Sequence, residues 1–306
     1  MPLNVRAAER LATTTKTPPM WEANTPRWLI TLLPWVQVKA GVYRINRATA
    51  TPEIMAEHAA GEALPTTFTP YDEKPKEITL TTVQTVVQVH TRVPDLYNVP
   101  HDQLREQLRI AIEAVKEEKE RRMVNSTDYG LLHVCAKHQR ISTGGAAPTP
   151  DDLDNLLSMV WKKPAFFVAH PQGIAAFGRQ CTARGVTPET IEMFGVPFMT
   201  WRGVPIVPCD KLPLKGGAGS KAKGKQTSAF MLLRVGETEQ GVVGLHQAEI
   251  GTPELQSLAV RFMGIDGNAV SSYLVTCYYS VAVLVDDALA VLEDVDVSLS
   301  GGKEAK

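Results

Sequence analysis

The apolar pattern changes period within one short stretch. Trp28, Leu29, Ile30, Leu32, Leu33 and Trp35 fall within eight residues, after which Val36, Val38, Ala40 and Val42 alternate with Gln37, Lys39 and Gly41. That period of two predicts a strand over Val36–Arg47. A Thr- and Val-rich run, Ile78–Val93, predicts a second strand. Between them, residues 48–77 are rich in Ala, Thr, Pro and acid and read as a surface excursion, so the two strands would form a long two-stranded arm. Such a ribbon is marginal alone in water and needs something to pack on.

Pro100 lies near the first turn of a predicted helix, His101–Arg122, with Leu104, Leu108, Ala111, Ile112 and Val115 on one face. The run EAVKEEKERR reads as its solvated side. Three further helix starts share a Thr-Pro-acid signature, at Thr149, Thr187 and Thr252. Phe166–Ala169 reads as a short buried strand before a helix around Ile174–Arg184. Beyond Val196 the pattern turns to β: two short strands about an Arg202-Gly203 turn, then strands over 229–235, Gln240–Gln247, Val260–Ile265 and Ser272–Val285, with a turn at Asp266-Gly267-Asn268.

Trp21 lies just upstream of the apolar cluster, and Pro18, Pro19, Pro26 and Pro34 break this N-terminal arm. Side chains this large must be covered, because soluble monomers avoid such exposed patches. The arm can fold back on its own domain or lie on a sister subunit, and the second reading is preferred.

Composition narrows the choices. Hydrophobic residues at 44% and charged residues at 21% are globular values, and a net charge of −1 gives no long-range attraction for DNA or anionic lipid. The first twenty residues hold no continuous apolar run of the secretory kind, and Trp28–Val36 is far short of the about 20 residues a membrane span requires. Cys135, Cys181, Cys209 and Cys277 are widely spaced, form no CxxC and read as reduced thiols.

Candidate chemistry is sparse. Residues 219–225 fit GxxxxGK, but Gln226 stands where a phosphate loop needs a hydroxyl, and a strand-like run follows instead of a helix. The bland reading is an exposed basic loop over 215–225. His133, Cys135 and His138 make HxCxxH on what reads as a strand, with no second cluster to complete a zinc site. His170 and Cys181 would need spatial contact to act as a nucleophile pair. Neither catalysis nor a metal or cofactor site is expected, and no pattern interleaving Arg with aromatics supports nucleic-acid binding.

LATTTK (11–16) followed by TPRWLITLLPWVQVKAGVYRINR (25–47) resembles the N-terminal region of the family 2 encapsulins, bacterial shell proteins. Segments 166–180, 203–214 and 272–295 resemble later parts of that family more by position than by motif. The resemblance implies an α+β, tailed-phage major-capsid-like fold. Its parts would be an N-terminal arm (1–35), an extended β-loop (36–93), a peripheral domain with a long spine helix (94–185, completed by about 251–295), an axial domain with a β-hairpin (186–250) and a disordered tail (296–306). The thirty or so residues between the arm strands are too few for an inserted cyclic-nucleotide-binding domain, which implies the insertion-free branch.

That branch implies a cytoplasmic icosahedral compartment of on the order of sixty copies around a cargo enzyme, a cysteine desulfurase of sulfur metabolism. Pyridoxal phosphate would belong to the cargo and no cofactor to the shell; the partners would be sister subunits and cargo, with no nucleic acid and no membrane span. The inter-subunit arm would use Trp21, Trp28, Leu29, Leu32, Leu33 and Trp35. By position, Cys181, Arg184, Thr187 and Glu189 would lie on a five-fold pore loop, where rings of charge select small solutes; an ordinary connection between elements is the alternative. The runner-up reading of the whole chain is a phage or prophage major capsid protein packaging DNA, and a third is a cytosolic enzyme using the His133/Cys135 region. The sister-subunit reading of the arm predicts that Trp28→Ala or Trp35→Ala, each worth about 3–5 kcal/mol where fully buried, weakens assembly more than it unfolds the subunit; native mass measurement checks it.

Overall fold

Strand β6 (Phe166–Ala169) is buried on both faces, and its alternation divides the molecule into layers. Phe166 and Val168 enter one core, Phe167 and Ala169 the other. The neighbouring strands β9 (Val204–Pro208), β11 (Gln226–Leu233) and β15 (Leu289–Asp296) repeat the division: Val207, Met231, Leu233 and Val291 face one way, Ile206, Phe230, Leu232 and Ala290 the other. Strands covered on both sides read as continuous apolar runs, which is why FFVA and AFMLL lack polar alternation.

The computed structural model describes residues 25–57, 61, 63–91, 103–216, 225–248 and 257–298. Among these, an eight-stranded sheet runs β5 (Arg140–Ser142), β15, β11, β6, β9, β8 (Val196–Trp201), β7 (Thr190–Met193), with the short β10 (Lys215–Gly216) beside β11. Helices α4 (Pro150–Met159) and α5 (Pro171–Ala183) cover one face through Leu153, Leu156 and Phe177. The opposite face meets the spine helix α2 (Gln103–Asn125) through Val115, Met123 and Val124, together with the N-terminal helix α1 (Trp28–Leu32) and a second sheet. A short helix, α3 (Leu131–Val134), follows the spine helix.

The second, five-stranded sheet is built on the long strand β14 (Val270–Val283). β4 (Thr81–His90) pairs antiparallel along it, while β13 (Leu258–Ile265) and β12 (Val242–Gln247) pair with its first and last parts. β1 (Trp35–Val38) adds in parallel to β12, with Trp35 opposite Gly244. A ribbon of β2 (Val42–Ile45) and β3 (Lys76–Thr79) contributes Ile45 and Ile78 to a third core over Val243, Leu245 and Ala282.

Several expectations change. The single strand Val36–Arg47 is two strands in two sheets, because Gly41 at φ +70 turns the chain between them. Ile78–Val93 is likewise divided at Leu80, whose amide donates to the Gly41 carbonyl at 2.9 Å; residues 92 and 93 lie outside the described set. The Thr149 signature starts α4 with a full capping box to Asp152. The same signature at Thr187 does not start a helix. Phe194 and Gly195, both at positive φ, make a two-residue turn that pairs β7 with β8, and strand pairing outweighs the local capping signal. Thr252 lies outside the described residues, and Leu258 onward is β13.

Helices α4 and α5 cover one face of the eight-stranded sheet while β6 between them lies in it, and the closing segment 272–295 splits at Asp286 so that β14 and β15 belong to different sheets. A Cβ at Gly244 would sit 2.6 Å from the Trp35 ring, so the parallel β1–β12 contact depends on this glycine. Gly244→Ala is therefore expected to cost about 1–3 kcal/mol by overpacking and to displace Trp35, measurable by thermal unfolding and tryptophan emission.

Candidate functional site

The N-terminus of α1 has no cap of its own. Arg27, at the capping position, has φ 50 and offers no side-chain hydrogen bond to the helix. The unpaired amides are met by carboxylates of the spine helix. Glu120 Oε1 accepts from the Leu29 amide at 3.0 Å, and Glu117 Oε1 accepts from the Thr25 amide at 3.0 Å. Glu117 also accepts from the Arg27 guanidinium at 2.9 Å and from Lys211 Nζ at 2.7 Å, while Arg27 reaches Glu113 at 2.6 Å. Lys119 Nζ lies 3.7 Å from the Trp35 ring centre, a cation–π contact.

The charge run expected to be solvated is thus the anchor of the arm: Glu117, Lys119 and Glu120 are buried. Spacing explains why. Glu113, Glu117 and Glu120 recur at four and three residues, one helical face, and the segment from Thr25 to Trp35 lies on that face. Buried ionic groups must be paired, and each pairing here pins the N-terminal segment. Burial opposes ionisation of Glu117, but hydrogen bonds from Lys211, Thr25 and Arg27 overcome it and hold its pKa below the ordinary value. At Glu120 burial dominates and raises the pKa to about 7, against the Lys211 charge and the Leu29 and Ile30 amides. Burial likewise lowers the pKa of Lys119.

The arm residues named from sequence pack within their own chain. Leu29 and Leu33 belong to the main core, with Trp28, Leu32 and Trp35 partly buried against it. Trp28 meets Phe198 edge-on at 5.1 Å and Phe194 at 5.7 Å. Within the chain, the spine helix, β12 and the β7–β8 hairpin bury Leu29 and Leu33 and cover part of Trp28, Leu32 and Trp35. Trp21 lies outside the described residues.

Of the pore-loop residues, Cys181 is fully buried in the core between α5 and the eight-stranded sheet and lines no opening. Arg184, Thr187 and Glu189 are exposed on the connection from α5 to β7; Arg184 bonds the Gln180 side chain, and the Glu189 carbonyl accepts from the Thr200 amide at 2.8 Å. The HxCxxH residues are not on a strand. His133 sits in α3, and Cys135 is a buried thiol pushed up to about 11 by desolvation. Among the described residues no group of three or more His, Cys, Asp or Glu is placed to hold a metal ion. His170 caps α5 and Cys181 lies near its other end, eleven residues or about 16 Å along the axis. None of the four cysteines is in a disulfide, and all four are buried. Of the GxxxxGK stretch, residues 219–224 lie outside the described set, and the segment continues into β11, not the helix a phosphate loop requires.

Among the described residues, exposed large apolar side chains cluster in three groups, apart from Trp161, Val86, Val42 and Leu214. Ile54, Leu64, Phe68 and Tyr71 lie on the excursion between β2 and β3; Val260, Phe262, Met263 and Ile265 on β13; Val186, Ile191, Phe194 and Val196 around the β7–β8 hairpin. Phe68 is 88% exposed. Exposure on this scale marks surfaces that meet other molecules.

Comparison with known proteins gives these surfaces a context. A family model described as SrpI-like type 2A encapsulin shell protein matches residues 41–299. The chain belongs to this family of shell proteins. It is 54% identical over 295 residues to the type 2A encapsulin shell protein SrpI of Synechococcus elongatus, covering 95% of this chain and 93% of that one. It is 51% identical over 296 residues to the type 2A encapsulin shell protein of Mycobacterium leprae, again with 95% and 93% covered. Among solved structures, the holo-SrpI encapsulin complex of Synechococcus elongatus PCC 7942 matches with a TM-score of 0.82 at 50% identity, over 98% of this chain and 99% of that one. The capsid of the native GTA particle matches at 0.59 with 12% identity, covering 92% and 94%, a likeness of fold alone.

The type 2A encapsulin shell protein therefore has the tailed-phage capsid fold and the part of a structural protein, as its relatives are named shell proteins rather than enzymes. The enzyme reading built on His133 and Cys135 gives way. Among the described residues no helix is long and apolar enough to cross a membrane.

Two variants of the anchor separate its members. Because the Glu120 pKa is raised on folding, its contribution is full below the ordinary value near 4.5 and is lost as pH rises through about 7. Glu120→Gln should leave stability at pH 5 unchanged and raise it at pH 8 by about 3 kcal/mol, from about 1.4 kcal/mol per pKa unit. Glu117→Gln should destabilise by about 3–5 kcal/mol, since Lys211 and Arg27 lose a buried partner. Thermal unfolding across pH reads both.

Proposed function

We propose that this shell protein assembles on the order of sixty copies into a closed icosahedral compartment in the bacterial cytoplasm, enclosing a cargo enzyme. The observation that carries the reading is near-full-length identity of about half with SrpI, for which a solved holo-encapsulin complex exists. The exposed apolar residues of the 54–71 excursion and of β13 support it, since a shell buries such surfaces between copies. The arm residues Trp21, Trp28, Leu29, Leu32, Leu33 and Trp35, together with the excursion, are the proposed contacts between subunits.

The cargo we favour is a cysteine desulfurase of sulfur metabolism, with pyridoxal phosphate bound by the cargo and none by the shell. The support is the family resemblance of the N-terminal region. Arg184, Thr187 and Glu189, exposed on one connection, are proposed to line the five-fold opening and filter charged solutes. The DNA-packaging alternative has only the fold in common with this chain, at 10–15% identity.

Negative-stain microscopy of the purified chain should reveal uniform hollow particles; a well-behaved monomer would count against the shell reading. Shells purified from the native host should carry the absorbance of pyridoxal phosphate, and its absence would remove the desulfurase cargo while leaving the shell. Phe68→Asp or Phe262→Asp, both at exposed sites, should lower particle yield in native mass measurements with a subunit stability change within about 0.5 kcal/mol.

A further inference from the structure

Strand β1 is four residues long and ends the five-stranded sheet, so among the described residues β12 is its one strand neighbour. Beyond the ladder, three bonds close the seam between them. The Gly244 amide donates to the Pro34 carbonyl at 2.9 Å, the Ala248 amide to the Val38 carbonyl at 3.0 Å, and Gln247 Nε2 to the Lys39 carbonyl at 3.0 Å. The Trp35 ring fills the seam. It packs on Gly244, its Nε1 donates to the Ile30 carbonyl at 3.0 Å, Lys119 Nζ lies 3.7 Å from its centre, and the His246 ring meets it edge-on at 6.4 Å. His246 is buried, and its Nδ1 has no hydrogen-bond partner among the described residues. Its neighbours are Lys119 on the spine helix, Trp35 and Gln37 on β1, and Tyr279 opposite it on β14. The charge acting on it is that of Lys119, and no acid offsets it.

We propose that this seam is an acid-sensitive joint: a proton on His246 releases β1 from β12 while α1 stays on the spine helix. A neutral imidazole carries one N–H and leaves its other nitrogen bare, whereas an imidazolium must donate from both. At His246 the Nδ1 hydrogen would be buried without an acceptor, and the new charge would stand beside Lys119 around one indole with no acid to balance it. Burial, aided by the Lys119 charge and opposed by the Gln247 backbone, holds the His246 pKa below its ordinary value. The neutral ring's contribution is therefore whole above that ordinary value and is lost as pH falls toward the lowered one. Detaching β1 opens the imidazolium to water. It gives up one short edge strand, since β12 keeps its pairing with β14. The α1 helix does not follow. Glu113 and Glu117, held below the ordinary carboxylate value, keep Arg27, and Glu120, raised to about 7, favours the docked helix more as pH falls. The joint lies within one chain and depends on neither cargo nor pore.

Hydrogen exchange of the full-length protein, read by mass spectrometry from about pH 7 to about pH 5, tests this across the interval in which a histidine changes charge. Rates are corrected for the intrinsic pH dependence of exchange. Protection of residues 35–38 should fall several-fold on acidification, while that of α1, β6 and β11 holds. His246→Gln, which takes up no proton, should abolish the fall. In Lys119→Met an imidazolium meets no neighbouring cation, so the fall should be smaller than in the unmodified protein; this variant decides the matter if His246→Gln does not fold. Unchanged protection of residues 35–38 in the unmodified protein, an undiminished fall in either variant, or a fall shared equally by α1, β6 and β11 overturns the proposal.

Discussion

The Thr25 and Leu29 amides and the Arg27 guanidinium have to be satisfied out of water, and the spine helix does it with carboxylates. A helix as short as α1 cannot hold itself together in solution; five residues are far below the length at which helices are stable alone. Its existence depends on Glu120 and Glu117 receiving the amides that no local cap accepts, and on Arg27 and Lys211 balancing the charge of those acids. The rest of the N-terminal organisation follows. With α1 fixed, Trp28 lands on Phe194 and Phe198, Leu29 and Leu33 enter the core, and Trp35 begins a strand parallel to β12 over Gly244.

The same arrangement divides apolar surface into two kinds. Leu29, Leu33 and Val38 are buried by their own chain, while the 54–71 excursion and β13 leave Phe68, Phe262 and Met263 in water. For a type 2A encapsulin shell protein the difference is one of timing. The first set is buried when the subunit folds. The second can be buried only by other molecules, which makes that part of the stabilisation dependent on concentration.

Ionisation tunes the anchor without dissolving it. Glu113 and Glu117 keep their pKa low through Lys116, Arg27, Lys211 and Thr25, in spite of burial, so they stay charged through the neutral range. Glu120 is the member whose burial outweighs its partners, and it is the one that titrates near neutrality. Two carboxylates three residues apart thus hold one segment with opposite pH dependence, because at Glu120 burial outweighs its partners and at Glu117 the partners outweigh burial.

Much of this molecule was legible in the residues alone. Local pattern sufficed where a neighbour could not change its meaning: FFVA and AFMLL as buried strands, Thr149 as a helix cap, Arg202-Gly203 as a hairpin turn, the spine helix, and the encapsulin resemblance of residues 25–47. Local pattern failed where meaning depended on what lay opposite. EAVKEEKERR looks the same whether water or an arm covers it, and only the packed structure brings Thr25 and Arg27 to that face. Thr187-Pro188-Glu189 carries a capping signal that strand pairing with β8 overrode. The tryptophan cluster announced that it had to be buried, but which surface would bury it was decided by tertiary contacts between residues about ninety positions apart, a separation that periodicity does not encode.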